Sequence, residues 1–381
     1  MISKLISRFV ITITLLLVSY SALAVISVPP PKVKAEGHIL IDFNSGLVLG
    51  ENNADKKLEP ASLTKIMTAY VVFRELQEGN LKLEDKTTVS EKAWQTKGSR
   101  MFIQVNTQVS IKELLMGLIV QSGNDAGVAL AEHIGGTEAT FADLMNHHAK
   151  RLGMNDSNFV NSTGLPHENH FTTARDIATV TLAMIREFPE YYAWYSVKSY
   201  KYNNIEQNNR NGLLYRDKSA DGVKTGHTEA AGYCLVGSAK REDMRLVSVV
   251  LGTESKRART KESQALLNYG FSFYESQKLH EAGKPIETVS VWKGDKKKVG
   301  VGVKEDLFAT VPRRQKKNLK VEVKIKEGLE APIKKGEAVG EVEVRVGKKV
   351  LAKAPVIALE DVNKGGFFSR TTDSLMMWIK K

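Results

Sequence analysis

The sequence predicts an α/β domain from about Ala35 to Tyr274, followed by a small all-β domain from about Ile286 to Asp361. Strand-like runs stand at both ends of the first segment with helical patterns between them, the arrangement of one α/β unit. After Gly283-Lys284-Pro285 the texture changes to short runs alternating Val or Ile with Lys or Glu, the period of half-exposed strands. The scale agrees. A chain of 381 residues, 42% hydrophobic and 26% charged, excludes wholesale disorder and leaves room for more than one packed core.

The elements follow in order. Lys4 and Arg8 precede an apolar run from Phe9 to Val18, and Ala22-Leu23-Ala24 closes it. That is the layout of an export signal cleaved after Ala24, and the apolar core is short of the roughly 20 residues a bilayer span needs. Residues 25–34, with Pro29-Pro30-Pro31, read as an extended linker. His38 to Asp42, a turn at Asn44-Ser45-Gly46, and Leu47 to Gly50 read as a hairpin. A helix opens near Pro60, carries Ile66, Met67, Tyr70, Phe73 and Leu76 on one face, and stops at Gly79. Further helices are predicted at Ile111–Val120, Gly127–Ile134, Phe141–Leu152, Thr173–Phe188 and Gln264–Tyr274. Tyr233–Ala239 and Arg245–Leu251 form a second hairpin around Lys240 to Asp243. Residues 275–285 read as a linker, residues 286–361 as the β domain, and residues 362–381 as a terminal helix.

Charge and cysteine narrow the function. There are 55 Lys+Arg against 43 Asp+Glu, a net charge of +12. Such a balance suits nucleic acid, anionic lipid or an acidic polymer, and export argues against nucleic acid. The lysine-rich strands of the β domain read most simply as solvated faces, with a polyanion site as the alternative. The single Cys234 excludes an intramolecular disulfide framework and reads as a small core residue. His147-His148 and His167-Glu168-Asn169-His170 lack the spacing that puts two imidazoles on one helix face. No metal and no cofactor is expected.

Three short motifs carry chemistry. Ser62-Leu63-Thr64-Lys65 lies at a helix start, where residues three apart share a face. A serine hydroxyl needs a base to become a nucleophile, and lysine serves as one only when burial or a neighbouring cation lowers its pKa. Taken singly the pattern is weak, since Ser290-Val291-Trp292-Lys293 repeats it in the β domain. Ser122-Gly123-Asn124 follows a buried helix in a turn, where Ser and Asn can relay a proton and hold an amide. Lys224-Thr225-Gly226 precedes a hairpin strand. There the absent side chain of Gly226 is expected to let a substrate backbone lie close.

Together, in this order and separated by about 60 and about 100 residues, the motifs match the signature of penicillin-binding proteins and serine β-lactamases. Longer stretches agree: Glu59 to Lys65, Gln121 to Ala126, Arg210 to Leu214, and Asp221 to Thr228. Over nearly the whole mature chain the sequence resembles the low-molecular-mass D-alanyl-D-alanine carboxypeptidases of bacterial envelopes. The resemblance implies a penicillin-binding-protein-like α/β domain. It implies removal of the terminal D-alanine from a peptidoglycan pentapeptide stem through a Ser62 acyl-enzyme, without a cofactor. It assigns Ser62, Lys65, Ser122, Asn124 and Lys224 to catalysis, and the backbone N–H groups of Ser62 and His227 to the oxyanion hole. It assigns Lys224, Thr225, Gly226 and Arg210 to substrate binding, and β-lactams become covalent inhibitors. A D,D-endopeptidase or β-lactamase on the same fold, or a non-catalytic β-lactam sensor, is the alternative. Gly123 stands where class A β-lactamases have Asp, and no Glu-x-x-Leu-Asn lies between Asn124 and Lys224. Glu168 lacks that context.

Beyond Asn363-Lys364-Gly365-Gly366, a helical projection gathers Phe367, Phe368, Leu375, Trp378 and Ile379 on one side. Ser369, Arg370, Asp373, Ser374, Lys380 and Lys381 take the other. This is the pattern of a helix lying in an anionic membrane surface, on the periplasmic side for an exported protein. The Gly-Gly break reads as a swivel beneath it.

Overall fold

The computed structural model describes residues 28–379. The expected signal segment, residues 1–24, lies outside them. The first domain is built on a five-stranded antiparallel sheet of β1 (Gly37–Asp42), β2 (Val48–Asn52), β3 (Ala220–Thr228), β4 (Gly232–Arg241) and β5 (Met244–Thr253). The spatial order is β2-β1-β5-β4-β3, so the N-terminal hairpin pairs with a strand about 200 residues later. Residues 53–219 are the insertion that supplies most helices. Among them are α1 (Thr64–Glu78), α2 (Ile111–Met116), α3 (Asn124–Gly135), α4 (Glu138–Leu152) and α5 (Ala174–Glu187).

Helix α1 is apolar on nearly every side through its first ten residues and is buried accordingly, which makes it the spine of the larger core. Gly79 ends it in the left-handed conformation, as its missing Cβ allows. The single helix expected over Ile111–Val120 is two pieces. Helix α2 stops at Met116, and a widened π turn over Gly117–Gln121 delivers the chain to Ser122. Such turns concentrate at functional sites. On the opposite face of the sheet lies α6 (Lys256–Phe273), longer at its start than the Gln264–Tyr274 expected. Its charged first turns hid it, yet Arg259 and Glu262 there are buried.

The 275–285 segment is not a plain linker. It carries β6 (Tyr274–His280), which pairs with β9 (Leu307–Pro312), a strand the alternation did not reveal. The other strands of the second domain are β7 (Pro285–Ser290), β8 (Lys298–Val303), β10 (Leu319–Ile325), β11 (Ala338–Val346) and β12 (Lys349–Ala358). They form an antiparallel sheet in the order β7-β8-β12-β11-β10 over a valine-rich core. The two domains meet at buried Asp42. Its Oδ2 accepts hydrogen bonds from Thr310 Oγ1 at 2.7 Å and Ser45 Oγ at 2.7 Å.

The terminal helix α7 (Phe367–Ile379) docks by its polar side. Buried Asp373 accepts the Lys293 N–H at 2.6 Å and Lys297 Nζ at 2.7 Å. The Gly365 N–H bonds to Lys293 O at 2.8 Å, so the expected swivel is a fastened joint. Phe367, Phe368, Leu375, Met376 and Trp378 face outward, between 58% and 84% exposed. Among the described residues no helix is long and apolar enough to cross a membrane.

Candidate active site

Pro60 leads into a short turn, Ala61–Leu63, from which α1 starts. Ala61 sits at φ 46°, a left-handed conformation costly for alanine and of a kind that clusters at active sites. Ser62 is half-buried on this turn, and Lys65, one turn on, is 1% exposed. Lys65 Nζ lies 3.1 Å from Ser62 Oγ, 2.6 Å from Asn124 Oδ1 and 2.7 Å from Thr163 O. Two of its N–H groups are thus committed to fixed acceptors, and the remaining tetrahedral position faces the serine. Burial, then the Arg210 cation, lowers Lys65 to about 7, against a weaker opposing pull from Asp125 and Glu138. Near neutral pH that third position is therefore a lone pair in a substantial fraction of molecules.

The π turn delivers Ser122 in a second left-handed backbone, at φ 62°. Its Oγ accepts Lys224 Nζ at 2.7 Å. Asn124 opens α3. Its side-chain amide donates to Lys97 O at 2.6 Å, and its N–H donates to Ser99 O at 2.6 Å. These bonds draw the 97–103 loop over the site.

Lys224, Thr225 and Gly226 lie on β3, an edge strand paired on one side only, with β4. Gly226 serves a purpose beyond the one read in the sequence. A Cβ there would stand 3.0 Å from Pro60 O and 3.2 Å from Ala61 Cβ. The glycine lets the strand press against the Ser62 turn, as well as lining the cleft. Buried Lys224 is pushed well below the ordinary lysine range by desolvation and by the Lys65, Arg210 and Arg259 cations. Lys65 and Lys224 each hold one serine hydroxyl of the site, Ser62 and Ser122 respectively.

Arg210 is exposed at the mouth and hydrogen-bonds Ser99 Oγ through Nη1. It lines, with Ser62, Ser122, Asn124, Thr225 and His227, one cleft of about 400 Å³. The structure therefore brings together every residue that the three motifs and the resemblance singled out. The Ser290–Lys293 copy stays apart: Lys293 Nζ pairs with Glu330 at 2.7 Å in the β domain. Cys234 is buried and its thiol is pushed up to about 11 by desolvation, which suits a core residue.

Several residues escaped the sequence reading. Asp125, next to the second motif, accepts the N–H groups of Met101 at 2.9 Å, Phe102 at 2.8 Å and Ile103 at 3.3 Å. It pins the loop that Asn124 also holds. Arg259 is buried beneath the cleft, donates to Gly226 O at 3.1 Å and lies over the Tyr233 ring. Gly164 has φ 82°, and a Cβ on it would meet Ala61 O at 1.7 Å. Only the dipeptide Asp125-Ala126 within a matched stretch offered any signal; the others depend on contacts that no spacing encodes. His170, one of the four histidines that tempted a metal reading, is buried with Nε2 2.8 Å from Thr64 Oγ1, one residue before Lys65. Burial lowers it to about 4 and keeps it neutral. Glu168 is exposed on the same loop.

The lining contains Lys256, Arg210 and Arg259 and, among the described residues, no carboxylate. The arrangement combines a serine with an amine base and a cationic end, suited to a ligand that ends in a carboxylate.

Comparison with known proteins agrees. The profile of the D-alanyl-D-alanine carboxypeptidase family matches residues 24–255, and that of the penicillin-binding protein 5 C-terminal domain matches residues 274–364. The chain is 45% identical over 359 residues to D-alanyl-D-alanine carboxypeptidase DacC of Escherichia coli, covering 92% of this chain and 90% of that one. It superposes on penicillin-binding protein 5 from Haemophilus influenzae with a TM-score of 0.84 at 42% identity, covering 88% of this chain and 100% of that chain. Penicillin-binding protein D2 from Listeria monocytogenes, solved with cefotaxime bound, matches 64% of this chain and 99% of that one, at 30% identity and a TM-score of 0.59.

Proposed function

The chain belongs to the D-alanyl-D-alanine carboxypeptidase family and is a serine-type carboxypeptidase, and we propose that Ser62 is its acylated nucleophile. The observation that carries this is the Lys65 amine, held by Asn124 Oδ1 and Thr163 O with its free position toward Ser62 Oγ. Neutral Lys65 takes the serine proton as Oγ attacks the carbonyl of the penultimate D-alanine. The backbone N–H groups of Ser62 and His227 receive the developing oxyanion, a form of stabilisation commonly supplying about 3–4 kcal/mol. The C–N bond breaks, and the proton that Lys65 took passes by way of Ser122 and Lys224 to the leaving amine, which leaves Lys65 neutral again. Water then hydrolyses the ester, Lys65 accepting its proton and returning one to Ser62.

Lys224, Thr225 and Arg210 hold the terminal carboxylate, with the bidentate fork of Arg210 at the mouth. A bound carboxylate opposes the lowering that burial imposes on Lys224, because an adjacent anion favours the ammonium form. The substrate class is the peptidoglycan pentapeptide stem. β-Lactams acylate the same serine and remain, since Glu168 is exposed and carries none of the class A deacylating context. We also place the mature protein outside the cytoplasmic membrane, held at its surface by the outward face of α7.

Release of free D-alanine from a pentapeptide, measured against release from cross-linked dimers, tests the reaction. The carboxypeptidase reading requires the first and fails if only dimers are cut.

A further inference from the structure

The far edge of the catalytic sheet ends in a groove of about 890 Å³ that the reaction does not use. Four antiparallel spacings, roughly 19 Å, separate its strand β2 from the Lys224 strand β3. Leu47 and Val48 line it from the catalytic domain, and Leu319, Val346 and Leu351 from the β domain, with Tyr274 at the joint. Lys317, Lys320, Lys348 and Lys349 ring it, with no acidic residue in the lining. None of these four has an ion-pair partner among the described residues, whereas the nearby Lys316 pairs with Glu275 and Lys353 with Glu341. The walls are fixed relative to one another by the Asp42–Thr310 bond and by Arg313, whose Nη2 donates to Phe271 O at 3.1 Å.

Two features select the occupant. The unpaired lysines call for carboxylates, while the apolar walls reward side chains that a bare polyanion lacks. The flanking strands β2 and β10 are both edges of their sheets, the elements to which extended peptides add. Edge lysines that repel another basic edge are complementary to an acidic strand. We propose that this groove at the domain joint is a docking site for an extended acidic peptide segment of a partner protein, with apolar side chains between its carboxylates. Its occupant leaves the catalytic cleft open.

The test uses the full chain and a labelled peptide alternating Glu and Val, read by fluorescence anisotropy. Saturable binding is expected, weakened about tenfold in Lys348→Glu/Lys349→Glu by loss of two attractions and gain of two repulsions. Lys334→Glu, outside the groove, should bind as wild type does, and a Gln-Val peptide should not bind. D-alanine release from a small peptide should be the same in all variants, with and without the probe. Equal affinity in the reversed variant overturns the site. Polyglutamate binding as tightly as the Glu-Val peptide overturns the peptide reading in favour of general polyanion capture. Groove-dependent binding of anionic vesicles or of soluble stem-bearing glycan strands, in preference to the probe, likewise overturns it. Should the Glu variant prove misfolded by thermal melting, Lys348→Gln/Lys349→Gln must still weaken the probe.

Discussion

The pattern Ser-x-x-Lys occurs in two regions of this molecule, and the two copies have opposite fates. Ser62 and Lys65 stand on successive turns at the head of α1, with Nζ 3.1 Å from Oγ and the lysine buried. Ser290 ends strand β7 exposed, and Lys293 turns away to Glu330. The first copy is the proposed reactive pair; the second helps to build the turn that grips α7, through the Lys293 N–H and the Asp373 carboxylate. Four residues do not specify chemistry. Helical backbone brings positions three apart onto one face, the end of a strand followed by a left-handed bend at Lys293 (φ 59°) does not, and burial then decides whether the amine can lose its proton.

The largest expected difference between the copies is in the serines. Ser62→Ala should lower D-alanine release by roughly 10⁴-fold or more and abolish labelling by a penicillin, by analogy with loss of a serine nucleophile elsewhere. Ser290→Ala should change neither. Peptide mapping of the labelled protein decides the matter, and label on any residue but Ser62 breaks the comparison.

The lysines sharpen it. Lys65→Arg cannot supply a neutral base, because arginine stays protonated, and should slow acylation by roughly 10²–10⁴-fold. Lys293→Arg should acylate normally. The sign of the pH dependence follows from the lowered pKa. The reactive form is the deprotonated amine, so the acylation rate should rise with pH through an inflection near about 7. Stopped-flow acylation across that range measures it. A flat profile removes Lys65 from the base role.

Backbone around the reactive copy is the next lever. Gly164→Ala forces a methyl to 1.7 Å from Ala61 O in a residue already at φ 82°. The Ser62 turn must shift, and a misplacement of that kind costs on the order of 10²-fold in acylation. Gly347, at φ 57° in the β-domain hairpin with open space around it, should accept alanine at the cost of backbone strain alone and keep full activity. Acylation rates of the two variants, with melting curves to check folding, make the contrast.

These contrasts also show what could be read in advance. The domain order, the hairpins, helix α1 and all three motifs were legible, because each depends on local periodicity or on a fixed spacing. Strand β9 was not, since Leu307 to Pro312 is buried at most positions and shows no alternation. The start of α6 was hidden by charge that the fold buries. At the site, the side chains were legible and their fasteners were not. Thr163 O, Lys97 O and Ser99 O are main-chain acceptors, for which any residue would read alike. The role of Gly226 was half read: its openness was evident, but the Pro60 turn that fills the opposite side comes from far away in sequence.

The smallest expected effect concerns the second copy's own duty. The projection separated apolar from polar residues on α7, but could not say which face the protein keeps. The structure keeps the polar one, and turns five large apolar side chains outward. Each is worth roughly 1.5–3 kcal/mol if fully transferred from water, less for partial insertion and for ordering the helix end. Reversible attachment to vesicles is the expected result, strengthened by anionic lipid near Arg370. A chain ending at Lys364 should stay in solution and release D-alanine from a small peptide at the normal rate. Asp373→Ala frees the helix from Lys297 and from the Lys293 N–H without touching the apolar face. It should therefore still float with vesicles, while the hinge at Gly365-Gly366 becomes open to protease. The hydrogen bond and charge of Lys297 lower the Asp373 carboxyl, so the fastening should persist to a lower pH than an ordinary aspartate would allow and be lost as pH falls further. Flotation of the three proteins, with limited proteolysis beside it, separates anchoring from fastening. If the truncated chain floats as well as the full one, the outward face of α7 is not the anchor.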